Sequence, residues 1–172
     1  KEDNDYGIFQ PNQTGGRMLP RGPGRLLFST GEWGVHPLAQ DPDSLFGKVV
    51  EINLSTGAFE VISMGHRNPQ GLYDDPASRL LVVAEHGPSG GDEVNINRSP
   101  GGKPENYGWP IASYGEHYNI DPEVDRQAPL YKSHAEHGFI EPAISYEISV
   151  SPSAVLRMPP DPRDPDRYAL MM

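Results

Sequence analysis

Between His66 and Pro110 the chain sets three turn motifs, HRNPQG, EHGPSGGDEVN and NYGWP, around a short apolar run. The first places a permanent cation, Arg67, beside the amides of Asn68 and Gln70, with Pro69 fixing φ and Gly71 free to adopt conformations other residues resist. A rigid turn of this composition suits the presentation of Arg67 to an anion. In the second motif Ser89, Gly90 and Gly91 follow Glu85, His86, Gly87 and Pro88. Carbonyl oxygens turned outward from such an irregular loop are ligands for a hard cation such as calcium. Three dense turns around buried strands indicate a ligand site in addition to scaffolding.

Turns of this kind need rigid elements to hold them. Residues 79–84, RLLVVA, are too few for a helix and rich in branched side chains, which predicts a strand buried on both faces. Residues 92–97, DEVNIN, alternate polar and apolar as a half-buried strand does. Further strands are expected at 25–30, 48–54, 58–64, 71–74, 93–97, 143–150, 154–158 and 168–172, separated by turn signals such as Ser55-Thr56-Gly57 and Asp74-Asp75-Pro76. No segment shows sustained helical periodicity, so the fold class is all-β and loop-rich. Residues 100–104 and 112–137 read as loop-like insertions.

The order and spacing of HRNPQG, EHGPSGGDEVN and NYGWP resemble the glucose/sorbosone dehydrogenase family, soluble quinoproteins that include aldose sugar dehydrogenases using pyrroloquinoline quinone. The resemblance extends upstream through Gly16-Arg17, Leu26-Leu27-Phe28, Gly31-Glu32-Trp33-Gly34 and residues 39–57, and it thins after Glu141. It implies a six-bladed β-propeller, built from short strands grouped in fours. It also implies oxidation of a sugar hydroxyl at C1 to a lactone: a base takes the hydroxyl proton, hydride passes to the quinone, and arginine plus calcium polarise the quinone oxygens. Carried over residue by residue, Arg67 and Asn68 match the arginine and amide that contact the quinone. Gly87 and Pro88 match the positions whose carbonyls hold calcium.

The base departs from the family pattern. The family histidine falls on Gln13, and glutamine accepts no proton near neutral pH. The carboxylate that orients that histidine falls on Glu32, one methylene longer than in the family, and Glu32 is itself a candidate base. A family aromatic expected near 145–147 is absent. Two functions follow: a quinone-dependent dehydrogenase acting on a sugar or other alcohol with an altered base, or a non-catalytic propeller that keeps the calcium turn and binds carbohydrate or protein.

Composition narrows the partners. With 14 Lys+Arg against 24 Asp+Glu the formal charge is −10, which argues against nucleic acid and supplies no polybasic membrane anchor. Cysteine is absent, which excludes disulfides and thiolate metal sites. No run of about 18 apolar residues suggests membrane insertion. The polar start, Lys1-Glu2-Asp3-Asn4-Asp5, is no signal peptide, so a periplasmic or extracellular location is implied by the resemblance alone. At roughly 40–65 residues per blade, the chain has enough for about three blades. One partial propeller domain over 1–172 is expected, with no second domain. The missing blades would come from further residues or from another copy, making a homo-oligomer conceivable on the open edge. Neither the acidic series Asn119, Asp121, Glu123, Asp125 nor the His134/His137 pair makes a metal site, since Val124 and Leu130 stand where a calcium loop needs Gly and Glu, and HxxH alone is weak for zinc.

Overall fold

The computed structural model describes residues 11–118, 122–164 and 167–172. Its first sheet is antiparallel through β1 (Gly15–Pro20), β2 (Arg25–Thr30), β3 (Lys48–Asn53) and β4 (Phe59–Met64). A second is formed by β5 (Pro69–Asp75), β6 (Leu80–Glu85) and β7 (Asp92–Asn97). The chain then returns to the first sheet as β8 (Glu105–Asn106), parallel to β4, crosses the short helix α1 (Pro122–Gln127), and completes the second sheet with β9 (Ile144–Tyr146) beside β7. β10 (Ala154–Arg157) and β11 (Tyr168–Met171) pair in a third sheet.

The sheets stack face to face, and β6 shows why. Leu81 and Val83 point into a core shared with Leu27, Val49 and Ile62 of the first sheet, while Val82 and Ala84 meet Val94 and Val155 on the other side. A strand sandwiched between two sheets carries apolar residues at every position, as the run RLLVVA predicts. Four-stranded sheets stacked in this way, each meandering from one end to the other, are propeller blades. The chain is all-β, part of a β-propeller covering about three blades.

Two expectations need correction, and β1 adds a strand that the sequence pattern does not announce. Residues 143–150 yield only the three residues of β9, because the backbone beyond Tyr146 is diverted: Val150 and Ser151 donate their N–H groups to Asp92 Oδ2, both at 2.7 Å, instead of continuing the ladder. β1, glycine-rich and without alternation, pairs with β2 from Met18 to Pro20, placing its proline on a sheet edge that needs no N–H. Within the supposed loop 112–137, Pro122 opens a helical turn for which its fixed φ is suited, and Glu123 accepts hydrogen bonds from Arg126 and Gln127. Part of the acidic series, residues 119–121, lies outside the described residues.

Candidate functional site

The loops preceding β5 and following β6 meet at one end of the second sheet, and a buried carboxylate ties them together. Glu85 Oε2 accepts the Arg67 N–H at 2.8 Å, and Oε1 meets His66 Nδ1 at 2.7 Å and Asn95 Nδ2 at 2.8 Å. His66 Nε2 continues to Ser63 Oγ at 2.8 Å, and its ring stacks on Tyr107. Burial pushes the Glu85 carboxyl up, but His66 and the Arg67 and Asn95 hydrogen bonds outweigh it and hold it below the usual carboxylate range. Its cross-strand partner Glu93 goes the other way: burial raises it, and His134 only partly offsets this.

On this base sits the Arg67 side chain, only 8% exposed. Nη1 donates to the Gly87 carbonyl at 2.5 Å and to His86 O at 3.3 Å, and the guanidinium lies over the Trp109 ring, 5.3 Å from its centroid. Burial lowers its pKa, with Glu32 the leading opposing charge. Its Nε is buried with no hydrogen-bond partner among the described residues.

Asn68 is satisfied by the protein itself. Its Oδ1 accepts from Gly15 N at 3.0 Å and Gln70 Nε2 at 2.9 Å, so Nδ2 faces His86 Nδ1 at 3.3 Å. A backbone N–H can only donate, which fixes the amide orientation; His86 Nδ1 is then the acceptor and the ring proton sits on Nε2. That Nε2 is also buried without a partner.

The EHGP turn is held by close backbone approach. A Cβ on Gly87 would meet Gly91 O at 2.2 Å, and one on Gly91, at φ 66°, would meet Gly115 N at 2.1 Å. Asp92 organises the loop: Oδ1 accepts Gly87 N at 2.8 Å, and Oδ2 takes the two N–H groups named above.

A cavity of about 300 Å³ opens here, its described lining including Gln13, Arg67, Asn68, His86, Gly87 and Asp92. Four of the six sequence-derived site residues thus share one space. Pro88, buried against Gly115, and Glu32, fully buried, are not among its described lining. Glu32 is nevertheless adjacent through the backbone: its N–H donates to Arg67 O at 2.9 Å, and Trp33 N–H to Gln13 O at 3.1 Å. Gln13 Oε1 is buried without a partner.

A larger cavity of about 580 Å³ lies at the opposite strand ends, between Arg21, Asp74, Arg79 and Arg98. Its inner cation is already spoken for, Arg21 pairing with Glu51 at 3.0 Å and Asp74 at 3.5 Å. The cavity at Arg67 is the one with buried polar atoms left over. His134 is buried and His137 stacks on exposed Tyr131 at 4.1 Å, and among the described residues no group of three or more His, Asp or Glu could hold a metal.

Two histidines escaped the sequence reading. His86 lies inside a motif dominated by its glycine and proline neighbours. His36 follows Glu32 by four residues and meets its Oε2 through Nδ1 at 3.0 Å; the spacing was visible, but in a segment with no helical signal nothing marked it as a contact.

Stacked four-stranded sheets with a cavity at their strand ends define a β-propeller. The model of the glucose/sorbosone dehydrogenase family matches residues 4–161, and the chain belongs to that family. It is 41% identical over 121 residues to the aldose sugar dehydrogenase YliI of Escherichia coli, covering 63% of this chain and 32% of that protein. With quinoprotein glucose dehydrogenase B of Acinetobacter calcoaceticus it shares 36% identity over 87 residues, 44% of this chain and 17% of that one. Among solved structures, the soluble aldose sugar dehydrogenase of Escherichia coli in its apo-form superposes with a TM-score of 0.71 at 30% identity, over 94% of this chain and 50% of that chain. The PQQ-bound aldose sugar dehydrogenase of Streptomyces coelicolor gives 0.58 at 30% identity, over 83% and 38%. The chain spans half or less of the length of these relatives.

Proposed function

We propose that this chain supplies the quinone-binding half of a sugar dehydrogenase that uses pyrroloquinoline quinone and oxidises an aldose or other alcohol hydroxyl. The observation that carries the reading is Arg67, a buried cation lining a 300 Å³ cavity, with an Nε that has no protein partner among the described residues. A desolvated guanidinium with a donor to spare fits an acidic planar ligand. His86 Nε2–H adds a second free donor, and Asn68 acts as the amide that holds it. When bound, the quinone supplies a two-electron acceptor for the hydride leaving C1 of the sugar.

Calcium fits less completely. Gly87 and Pro88 offer two carbonyls against the six to eight oxygens calcium takes, the Gly87 oxygen already accepts Arg67 Nη1, and Asp92 has three N–H groups on its two oxygens. Calcium would therefore bind here only together with oxygens of an anionic ligand and water. The family also supports a periplasmic or extracellular setting; no helix among the described residues is long and apolar enough to cross a membrane.

The buried amide of Gln13 favours a second reading, a propeller that binds carbohydrate without turning it over, with Gln13 as a hydrogen-bonding residue. Titration of the full-length reading frame with pyrroloquinoline quinone and calcium separates the two. The dehydrogenase reading expects a shifted quinone absorption and dye reduction when sugar is added; no quinone binding contradicts it. Binding without turnover, with turnover gained on Gln13→His, would identify a site that lost only its base.

A further inference from the structure

The larger cavity, of about 580 Å³, is walled by three connections between strands. Arg21 comes from the β1–β2 turn, Asp74, Asp75 and Arg79 from the β5–β6 hairpin, and Arg98 and Ser99 from the loop after β7. Arg21 locks the three together. Its guanidinium meets Glu51 at 3.0 Å and Asp74 at 3.5 Å, and its Nη2 donates to Pro100 O at 3.3 Å. The acids around it are accounted for: Arg25 shares Glu51, and Asp75 Oδ2 takes Arg157 at 2.8 Å and the Tyr168 hydroxyl at 3.2 Å. Arg79 and Arg98 are the cations left over. Both are exposed, and neither side chain has a hydrogen bond or ion pair among the described residues. Two guanidinium charges therefore stand uncompensated on one cavity wall, in a chain whose formal charge is −10.

The backbone at Arg79 is an independent observation. Its φ is 58°, in the left-handed region that glycine enters freely and other residues resist. The turn before it is closed by Asp75 Oδ1, which accepts the N–H groups of Ala77 at 3.1 Å and Ser78 at 3.4 Å, and needs no arginine. A long cationic side chain kept at a strained position, on a cavity wall and without a protein partner, marks a ligand clamp. We propose that this cavity is a second binding site, taking the phosphoryl dianion of inorganic phosphate or of a phosphomonoester between Arg79 and Arg98. A guanidinium fork matches two phosphate oxygens at once, and two such charges match a group that carries about −1.5 to −2 at neutral pH. Ser99 adds a hydroxyl donor on the same wall, its backbone fixed by its N–H to Asn97 Oδ1 at 2.9 Å. The volume is that of a small-molecule pocket and exceeds a bare phosphate, so an organic group can accompany the anion, with Asp74 as an acceptor for its hydroxyls. The assignment rests neither on Arg67 nor on the dehydrogenase reading.

The test titrates inorganic phosphate and glycerol 3-phosphate into the full-length reading frame by calorimetry, for wild type, Arg79→Gln, Arg98→Gln, Arg79→Gly and Arg67→Met. Expected are saturable binding to the wild type, a loss of about tenfold in each glutamine variant, and wild-type binding in Arg67→Met. Arg79→Gly separates the side chain from the fold: phosphate binding falls as in Arg79→Gln, while the Tm holds or rises because glycine suits the backbone. Tighter binding of glycerol 3-phosphate than of inorganic phosphate assigns the site to an organic phosphate, and equal binding assigns it to the free anion. No saturable binding of either probe, binding unchanged in both glutamine variants, or binding lost in Arg67→Met overturns the proposal.

Discussion

The polar atoms left unpaired around Arg67 are donors, Arg67 Nε and His86 Nε2, whereas those around Glu32 are acceptors, Gln13 Oε1 and Glu32 Oε1. Both sets are buried, and buried polar groups without partners are uncommon enough to mark function. The two corners are bolted together by Glu32 N–H to Arg67 O and Trp33 N–H to Gln13 O. The donor corner is suited to an anionic ligand and the acceptor corner to a hydroxyl proton. Arg67 and Gln13 line one cavity with Glu32 buried behind it, so the two corners differ in polarity.

Breaking the platform under the donor corner has the largest effect. Glu85→Ala leaves His66 and the Arg67 N–H buried without their partner, and unfolding by urea should show a loss of about 3–5 kcal/mol. Lys48→Met acts on the turn beneath the acceptor corner. Three carbonyls, those of Leu38, Ala39 and Phe46, lose their common donor, for an expected loss of about 1–3 kcal/mol. Burial lowers the Lys48 pKa to about 8 from 10.5, so between these values the unfolded chain binds the extra proton and stability rises with pH. Denaturation midpoints measured from pH 8 to 10.5 should show this rise in the wild type, with its Lys48 contribution absent from Lys48→Met. A smaller effect sharpens the donor corner: Asn68→Asp removes the amide N–H facing His86 Nδ1 and replaces it with an acceptor. The ring proton should then move to Nδ1, read by 15N NMR, and quinone affinity should fall by about tenfold, as expected for one hydrogen bond of about 1.5 kcal/mol.

Much of the donor corner was legible in the sequence because its residues are contiguous. HRN and EHGP each fold as one turn, and RLLVVA states its burial on both faces without any knowledge of the neighbours. The acceptor corner was legible only in part. Gln13 and Glu32 were found through the family resemblance, but that Glu32 points at His36 depends on a left-handed Trp33, a conformation no propensity favours for that residue. The shortening of β9 was hidden for a similar reason: it depends on Asp92, far away in sequence, capturing the N–H groups of Val150 and Ser151. Residues whose partners are local in the chain could be read; those whose partners are set by sheet stacking could not.

The division of labour between the two corners is tested most directly by measuring the dissociation constant of pyrroloquinoline quinone for wild type, Arg67→Met and His36→Gln side by side. The account predicts a loss of roughly 10- to 100-fold for Arg67→Met, from about 1.5–3 kcal/mol for hydrogen bonds to a charged group, and wild-type affinity for His36→Gln. Equal losses in the two variants, or full affinity in Arg67→Met, would contradict it.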